Sequence, residues 1–599
     1  MSFRILRVNL SNRTYHVEEL SEEIFKKFLL GRGIGDYILY KEVNPAIDPC
    51  SSENKLVFAT GPFSGTTVPG AARLSAVTKS PLTGTITSTN AGGHFGMEMA
   101  LDDYHVIIIE GASDSPVYLF IKGDEVIFGD ASKLWGKTTS ESDTLLKKLT
   151  HPKSKTLVIG PAGENLSPIA GIFVDGHRAL GRGGAGGVMG SKKLKGIAIL
   201  GKSKIGFKGN AQKYKDLINK LYGYLRQSEG LKRFKAFGTT GNVRTINLAG
   251  SFPTRNFRDS YLEDYENING TEVNRLYLVK AGACAQCPVS CNRITKVEYD
   301  GKIYLVSGPE YETLWSFGGA TGVTDLKYVI LAHHLANEYG FDGISLGSTI
   351  ACLMDLYEDG HVKDLPFEAK FGDGEAMVKL IELAGKNEGI GALIKEGSLK
   401  LASHFGHTEY SMSVKGQEIP AYDPRGIKGM GIGYATSTRG ACHLRGFNTS
   451  QEVYNAPDPE YRLKYTDEKV DFLIHNQNMR ALQDSLGVCA FVGGYYELED
   501  YSTLIESLWG ISISPEDLYR AGERVWNIEN LYNRKACISR GHDTLPERIF
   551  RLPVKSGPSS GEAYDKSKFE RLLNLYYEKR GWNQEGWPEF NKLRELGIE

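Results

Sequence analysis

Apolar residues in the first third of the chain come in short runs between turn residues. The segments 55–60, 105–110, 117–122, 155–160 and 196–200 read as strands, because each run is short and bounded by Gly, Pro, Asp or Ser. One helix is expected before them, over 21–30. From 211–227 onward the apolar spacing lengthens to a helical period, and Lys and Leu become frequent. Segments 326–339, 344–358, 374–387, 467–485, 515–535 and 566–580 continue that pattern. The fold class is therefore α+β. A β-rich domain over 1–207 is followed by two mainly helical domains, 208–416 and 417–599. The second boundary lies in the turn-rich stretch 417–431, which holds Pro420 and Pro424. A chain of 599 residues exceeds what one hydrophobic core supports, so several domains are expected.

Two glycine-rich stretches interrupt this pattern. Gly31-Arg32-Gly33-Ile34-Gly35 follows the expected helix rather than a strand, which argues against a dinucleotide fingerprint. A helix end followed by a tight turn is the expectation there. Gly181-Arg182-Gly183-Gly184-Ala185-Gly186-Gly187 lacks the GK[ST] ending of a P-loop, yet its glycines let backbone amides approach a phosphate closely. Composition adds little: 41% hydrophobic, 24% charged, net charge −1. Those values fit an ordinary globular protein and point away from nucleic acid and from polybasic membrane anchoring. No apolar run reaches the roughly 18 residues of a membrane span. The first residues carry no secretory pattern, so the cytoplasm is the expected location.

The eight cysteines change the picture. Cys284, Cys287 and Cys291 fall in a C-x2-C-x3-C spacing, and no second C-x2-C pair follows, as a zinc site would usually require. Three close thiolates and one distant one suit a [4Fe–4S] cluster. Spacing alone leaves Cys50, Cys352, Cys442, Cys489 and Cys537 as candidates for the fourth ligand.

A series of blocks then identifies the sequence by resemblance. Ala59-Thr60-Gly61-Pro62, the run 78–84, GPAGEN at 160–165, DGHRALGRGG at 175–184, the cysteine loop, GPEYET at 308–313, PAYDPRG at 420–426, the run 433–436 and DTLPER at 543–548 occur in the order seen in aldehyde:ferredoxin oxidoreductases. The chain resembles that family over essentially its whole length. The resemblance implies a β-rich base holding a bis-pyranopterin tungsten centre, with molybdenum the alternative metal. Each helical domain would contribute one D-x-x-G-φ-[DC] loop (φ apolar) to a pterin. Those loops are Asn337-Glu338-Tyr339-Gly340-Phe341-Asp342 and Asp484-Ser485-Leu486-Gly487-Val488-Cys489. Asn337 replaces the family aspartate and brings no charge.

By the same resemblance Cys489 becomes the fourth cluster ligand, and Arg73 stands between cluster and pterin. Arg182 and Gly183 join the cofactor-binding set. The backbone carbonyls of Asn90 and Leu180 hold a Mg2+ ion that bridges the pterin phosphates, a fitting donor type for a hard cation. Glu312 is the base that takes a proton from water, with Glu310 its rival, and His443 binds the substrate oxygen. Tyr311 and Trp315 are candidates for the pocket wall. The implied reaction is aldehyde to carboxylic acid; reduction of a carboxylic acid or an aromatic ring is the alternative, and a non-catalytic electron-transfer subunit a more distant one. Electrons leave one at a time to ferredoxin or a ferredoxin-like subunit, in a homo- or hetero-oligomer. Some relatives hold an iron between subunits with a Glu-x-x-His. Here the matching stretch is Leu331-Ala332-His333-His334, and leucine offers no ligand atom. No such iron is expected, and a dedicated partner subunit is.

Overall fold

The structure, a computed structural model, describes residues 3–202, 206 and 208–598. The expected boundary at 207 lies outside the described residues. Two six-stranded sheets form the first part of the chain. The first contains β1 (Phe3–Asn9), β2 (Thr14–Leu20), β3 (Leu56–Thr60), β4 (Leu74–Lys79), β5 (Ile86–Ala91) and β6 (Tyr104–Glu110). The second contains β7 (Val117–Lys122), β8 (Glu125–Asp130), β9 (Lys155–Val158), β10 (Ile172–Val174), β11 (Arg178–Leu180) and β12 (Leu194–Ile199). Their orders are β2-β1-β6-β3-β4-β5 and, read from its other edge, β8-β7-β12-β9-β10-β11. The second sheet thus repeats the first strand for strand. The pairs β1–β6 and β7–β12 are parallel and the rest antiparallel. A helix precedes the last strand of each half, Phe95–Leu101 and Ala185–Ser191.

The sheets pack face to face. Leu6, Val8, Ile107 and Ile109 from the first meet Leu119, Ile121, Ile197 and Ile199 from the second in one apolar core. The alternate residues Val57, Val77, Val106 and Ile108 point to the other face, where Leu221, Leu504 and Leu508 from later helices cover them. Burial on both faces explains the nearly continuous apolar reading of β6.

The long helices lie close to the expected spans: Ala211–Gln227, Leu326–Tyr339, Gly343–Glu358, Gly374–Lys386, Glu468–Ser485, Pro515–Lys535 and Lys566–Arg580. The apolar faces of Leu326–Tyr339, Gly343–Glu358, Gly374–Lys386 and Lys566–Arg580 share the largest core, from Ala162 to Trp582, whereas Ala211–Gln227 packs against the first sheet. Among the described residues no helix is long and apolar enough to cross a membrane. Two features depart from expectation. Gly31 does not begin a turn; it opens a second helix, Gly31–Glu42. The first helix is only Glu22–Phe28, broken where Leu29 takes φ 59°. The glycines serve contact: a Cβ at Gly31 would meet the Asp484 carbonyl at 2.3 Å, and one at Gly35 would meet Val77 at 2.4 Å. The second departure is a three-stranded sheet inside the expected helical region, β13 (Leu278–Gly282), β14 (Asn292–Tyr299) and β15 (Lys302–Ser307), in that order.

The duplicated sheets seat the two loops in the same way. Gly61-Pro62 follows β3, and Gly160-Pro161 follows β9 by one further residue. Gly487 (φ +68°) lies on Gly61, and Gly340 (φ +88°) lies on Gly160. The Gly487 carbonyl accepts from Arg73 N–H at 3.2 Å, while Cys489 N–H donates to Gly70 O at 2.9 Å. Correspondingly, the Gly340 carbonyl accepts from Gly171 N–H at 2.9 Å, and Asp342 N–H donates to Ile169 O at 2.8 Å. A Cβ at Gly340 would sit 2.8 Å from Gly160 N and 3.0 Å from its Cα. Gly340→Ala therefore combines left-handed strain with a backbone collision, and is expected to cost at least about 1–3 kcal/mol. A fall in the thermal unfolding midpoint is the readout; an unchanged midpoint would refute the contact.

Candidate active site

Cys284, Cys287 and Cys291 occupy the connection from β13 to β14. Gln286 (φ 52°) and Ser290 (φ 50°) turn the chain left-handed between them. This curls the loop so that Val289 and Ser290 N–H groups point at the Cys287 sulfur. Burial first, then the neighbouring Cys489 and Cys284, push the Cys287 thiol up to about 11. Burial, Glu310 and Cys489 raise Cys291 as well. Cys489 therefore lies beside the triad. The other candidates lie elsewhere: Cys352 is enclosed beside Asp355, Cys50 is near Asp48 and Lys400, and Cys537 is exposed. Phe234 stacks on Phe491, two residues past Cys489, at 4.6 Å. Thiols gathered this closely need shared cations in order to ionise together. Among the described residues no three His, Cys, Asp or Glu side chains converge as around a single ion. A tetrahedral zinc with Zn–S near 2.3 Å demands such convergence, whereas a cube holds its thiolates further apart. The residues present fit a cluster.

Arg73 and Arg178 bring positive charge to this group. Arg73 donates to Asn90 O at 3.3 Å, and its guanidinium and Cys284 flank Gly92. Arg178 feels Cys284, Glu310 and Cys291, which outweigh its burial and raise it. Glu310 accepts from Thr239 at 2.7 Å and approaches Arg178 at 3.8 Å, so it belongs to the cluster side.

Each loop acid carries its own arginine. Arg445 donates to Asp484 at 3.1 Å, and Arg32 lies 3.5 Å from the same carboxylate. Arg182 donates to Asp342 at 3.2 Å, to Ala441 O at 2.8 Å and to Glu418 O at 2.6 Å. Arg439 and Arg445 converge on Ser88 O at 2.5 and 2.8 Å. The Nε groups of Arg439 and Arg445 and the Thr87 hydroxyl are buried without a partner. Burial, Arg32 and Arg439 push Arg445 down to about 10, still a cation at neutral pH. Arg32 is in turn held by Glu529 through two bonds of 2.8 and 2.7 Å. Burial and Glu529 raise Asp36 well above the usual carboxylate range. Buried N–H donors without acceptors are costly, and a polyanion with many oxygens satisfies them. The donor set fits a phosphate-bearing pterin. Asn90 on β5 and Leu180 on β11 occupy matching strands of the two halves, and Gly183 (φ +86°) lies against Thr87. Asn337 instead turns its amide to His333, 3.1 Å away. His333 is buried against Ser307 O, and His334 packs on Tyr304.

Glu312 and His443 meet on the far side of Arg182. Glu312 Oε2 accepts from Ala421 N–H at 3.1 Å. Its Oε1 stands 3.5 Å from His443 Nδ1, and neither atom has a hydrogen-bond partner. The two side chains keep 13% and 14% exposure and so face open space. Burial raises Glu312 to about 8, against the pull of Ala421 N–H and Arg182. Burial, Arg182 and Arg439 lower His443 to about 3, so it is a neutral imidazole at working pH. Burial alone would raise the adjacent Cys442 thiol, but Arg439, 2.9 Å from its sulfur, and Arg182 bring it below its ordinary value. Tyr422 lies tilted against His443 at 5.7 Å and meets Phe447 edge to face at 5.2 Å. Trp315 is fully buried and donates to Pro253 O, and Tyr311 donates to Ala421 O. Both are core residues; Tyr422 and Phe447 line the site in their place. Sequence reading missed Arg178, Arg439, Arg445 and Tyr422, although each lies in or beside a block or candidate residue already marked.

Comparison with known proteins gives concordant matches. A family model described as the N-terminal domain of aldehyde ferredoxin oxidoreductase covers residues 5–201, and one described as its domains 2 and 3 covers 216–598. The tungsten-containing aldehyde ferredoxin oxidoreductase of Pyrococcus furiosus is 42% identical, over 99% of this chain and 98% of its own length. The WOR-like subunit of aliphatic sulfonate oxidoreductase from the same organism is 31% identical, over 99% and 96%. Among solved structures, the active-site complex of benzoyl coenzyme A reductase with 1,5-dienoyl-CoA shares the fold, with a TM-score of 0.84 at 23% identity over 100% of this chain and 97% of that one. With both family models and a full-length relative in agreement, the chain belongs to the aldehyde ferredoxin oxidoreductase family.

Proposed function

We propose that this oxidoreductase is a tungsten-pterin enzyme that oxidises aldehydes to carboxylic acids and passes electrons through one [4Fe–4S] cluster to ferredoxin or a ferredoxin-like subunit. The observation that carries the reading is the pair Glu312 Oε1 and His443 Nδ1, buried, unpartnered and 3.5 Å apart beside the arginine-lined cradle. The pterin would be held by Arg73, Arg182, Gly183, Asp342, Asp484 and Cys489, with Mg2+ on the carbonyls of Asn90 and Leu180, while Asn337, turned to His333, would leave its loop without the second acid. Cys284, Cys287, Cys291 and Cys489 would hold the cluster. When bound, the metal supplies the two-electron acceptor that side chains lack.

The chain's own part is proton transfer and positioning. Aldehyde and water give the acid, two electrons and two protons. Glu312 in its ionised form takes a proton from the attacking water. Neutral His443 hydrogen-bonds the substrate oxygen, and as a neutral ring it binds without adding charge. Arg182 holds the Ala441 carbonyl, two residues before His443, and so fixes the approach of the imidazole. Tyr422 and Phe447 offer the aldehyde's substituent an apolar wall.

Glu312→Gln retains metal and iron but lowers kcat by roughly two to four orders of magnitude, whereas Glu310→Gln does less; reversed effects would transfer the role to Glu310. His443→Ala also lowers kcat with metal retained. Because the base works ionised and burial raises Glu312 to about 8, kcat/KM in the wild type climbs as pH rises through that value, and Glu312→Gln removes this limb. Iron analysis of anaerobically purified protein gives about four iron per chain for a single cube. Cys489→Ser lowers both iron and pterin content, and Cys352→Ser lowers neither; full iron in Cys489→Ala would exclude Cys489 as a ligand.

A further inference from the structure

Resting on that reading, we propose that the outer face of the β13–β14–β15 sheet docks an acidic one-electron iron–sulfur protein, with the lysines nearest the cysteine loop setting its orientation. The sheet is the mount of that loop: β13 ends at Gly282, two residues before Cys284, and β14 begins directly after Cys291. Its inner face is closed, since Arg293, Thr295 and Val297 are buried. Cross-strand pairing places the alternate residues together on the other face. Lys280 pairs with Ile294, Lys296 with Leu305, and Glu298 with Ile303. Leu305 is 65% exposed, more than any other large hydrophobic residue described, and Ile303 is 60% exposed. Exposed apolar residues side by side on a sheet face mark an interaction surface.

Charge on this face is graded. Lys280 and Lys296 lie toward the cysteine loop. Lys280 and Lys296 have no ion-pair partner among the described residues. The acidic residues Glu298 and Asp300 lie at the distal end. Ile294, opposite Lys280, is three residues from Cys291, or about 10 Å along the strand. The loop itself reaches the surface at Ala283 and Gln286. An acidic partner is therefore drawn to the loop end, where Lys280 and Lys296 stand without an acidic partner at ion-pair distance. A second copy of this chain fits less well, because an isologous contact repeats one patch on both sides and would set these lysines against their own copies.

The test is the double variant Lys280→Glu/Lys296→Glu, with Leu305→Asp as an independent second variant. Aldehyde oxidation is followed with an acidic [4Fe–4S] ferredoxin and, separately, with benzyl viologen as acceptor. The expected result is a rise of at least tenfold in KM for ferredoxin, a weaker salt dependence of that KM, and unchanged viologen turnover. Unchanged KM for ferredoxin overturns the proposal, as does equal loss with both acceptors. So does a change in oligomeric state by sedimentation with ferredoxin kinetics intact, which assigns the face to a second copy. Should the wild type oxidise no aldehyde even with viologen, the catalytic reading fails by itself. Calorimetric binding of ferredoxin to wild type and variants then decides the docking proposal, weaker binding by the variants supporting it and equal binding overturning it.

Discussion

Two contacts of glycine backbone on glycine backbone govern this architecture. At Gly61–Gly487 and at Gly160–Gly340 the chain approaches itself so closely that no side chain fits between. Each contact locks a helix-end loop onto the turn after a central sheet strand, and the flanking N–H to carbonyl bonds fix its register. The positions of Asp342, Asp484 and Cys489 follow from these two clamps. So does the placement of helices Leu326–Tyr339 and Glu468–Ser485, whose ends the loops continue. Packing elsewhere supplies most of the buried area, but it does not set these distances.

The interior that the clamps enclose is held electrostatically off balance. Arg32, Arg439 and Arg445 crowd one region, with Glu529 and Asp484 as their carboxylate partners, while burial and Glu529 raise Asp36 well above the usual carboxylate range. Such crowding lowers the stability of the protein taken alone. It is compensated when an anion with several acceptors occupies the region. The same field reaches the Glu312–His443 pair, where Arg182 opposes the rise of Glu312 and deepens the neutrality of His443. The arginine-lined region and the Glu312–His443 pair are thereby coupled through one guanidinium.

How much of this the sequence disclosed depended on periodicity. Helices such as Leu326–Tyr339 and Lys566–Arg580 carry an unbroken 3.6-residue pattern and were legible to within a residue or two. Strands β4 and β5 were not, because LSAVTK and ITSTNA bury Ser and Thr on both faces and show no alternation. The sheet β13–β15 escaped notice through the opposite fault: its exposed Leu and Ile read as ordinary surface scatter. The duplication left few traces beyond the Gly-Pro after β3 and the Gly-Pro after β9. For the site, resemblance to a family marked Glu312, His443 and the loop residues, and residue chemistry alone would have marked only the cysteine triad. Arg439 and Arg445 could not be told from the surface arginines that are the norm; only the fold buries them.

A twofold frame made from one chain has a freedom that a frame made from two copies lacks. In a homodimer every substitution appears twice, and the two sides of a central site stay identical. Here the halves are joined, and each can drift independently. One clamp loop ends in the carboxylate Asp342, its counterpart in the thiol Cys489, and only the second lies beside further cysteines. Covalent continuity has thus turned a symmetric scaffold into a polarised one, with a carboxylate at one loop end and a group of thiols at the other.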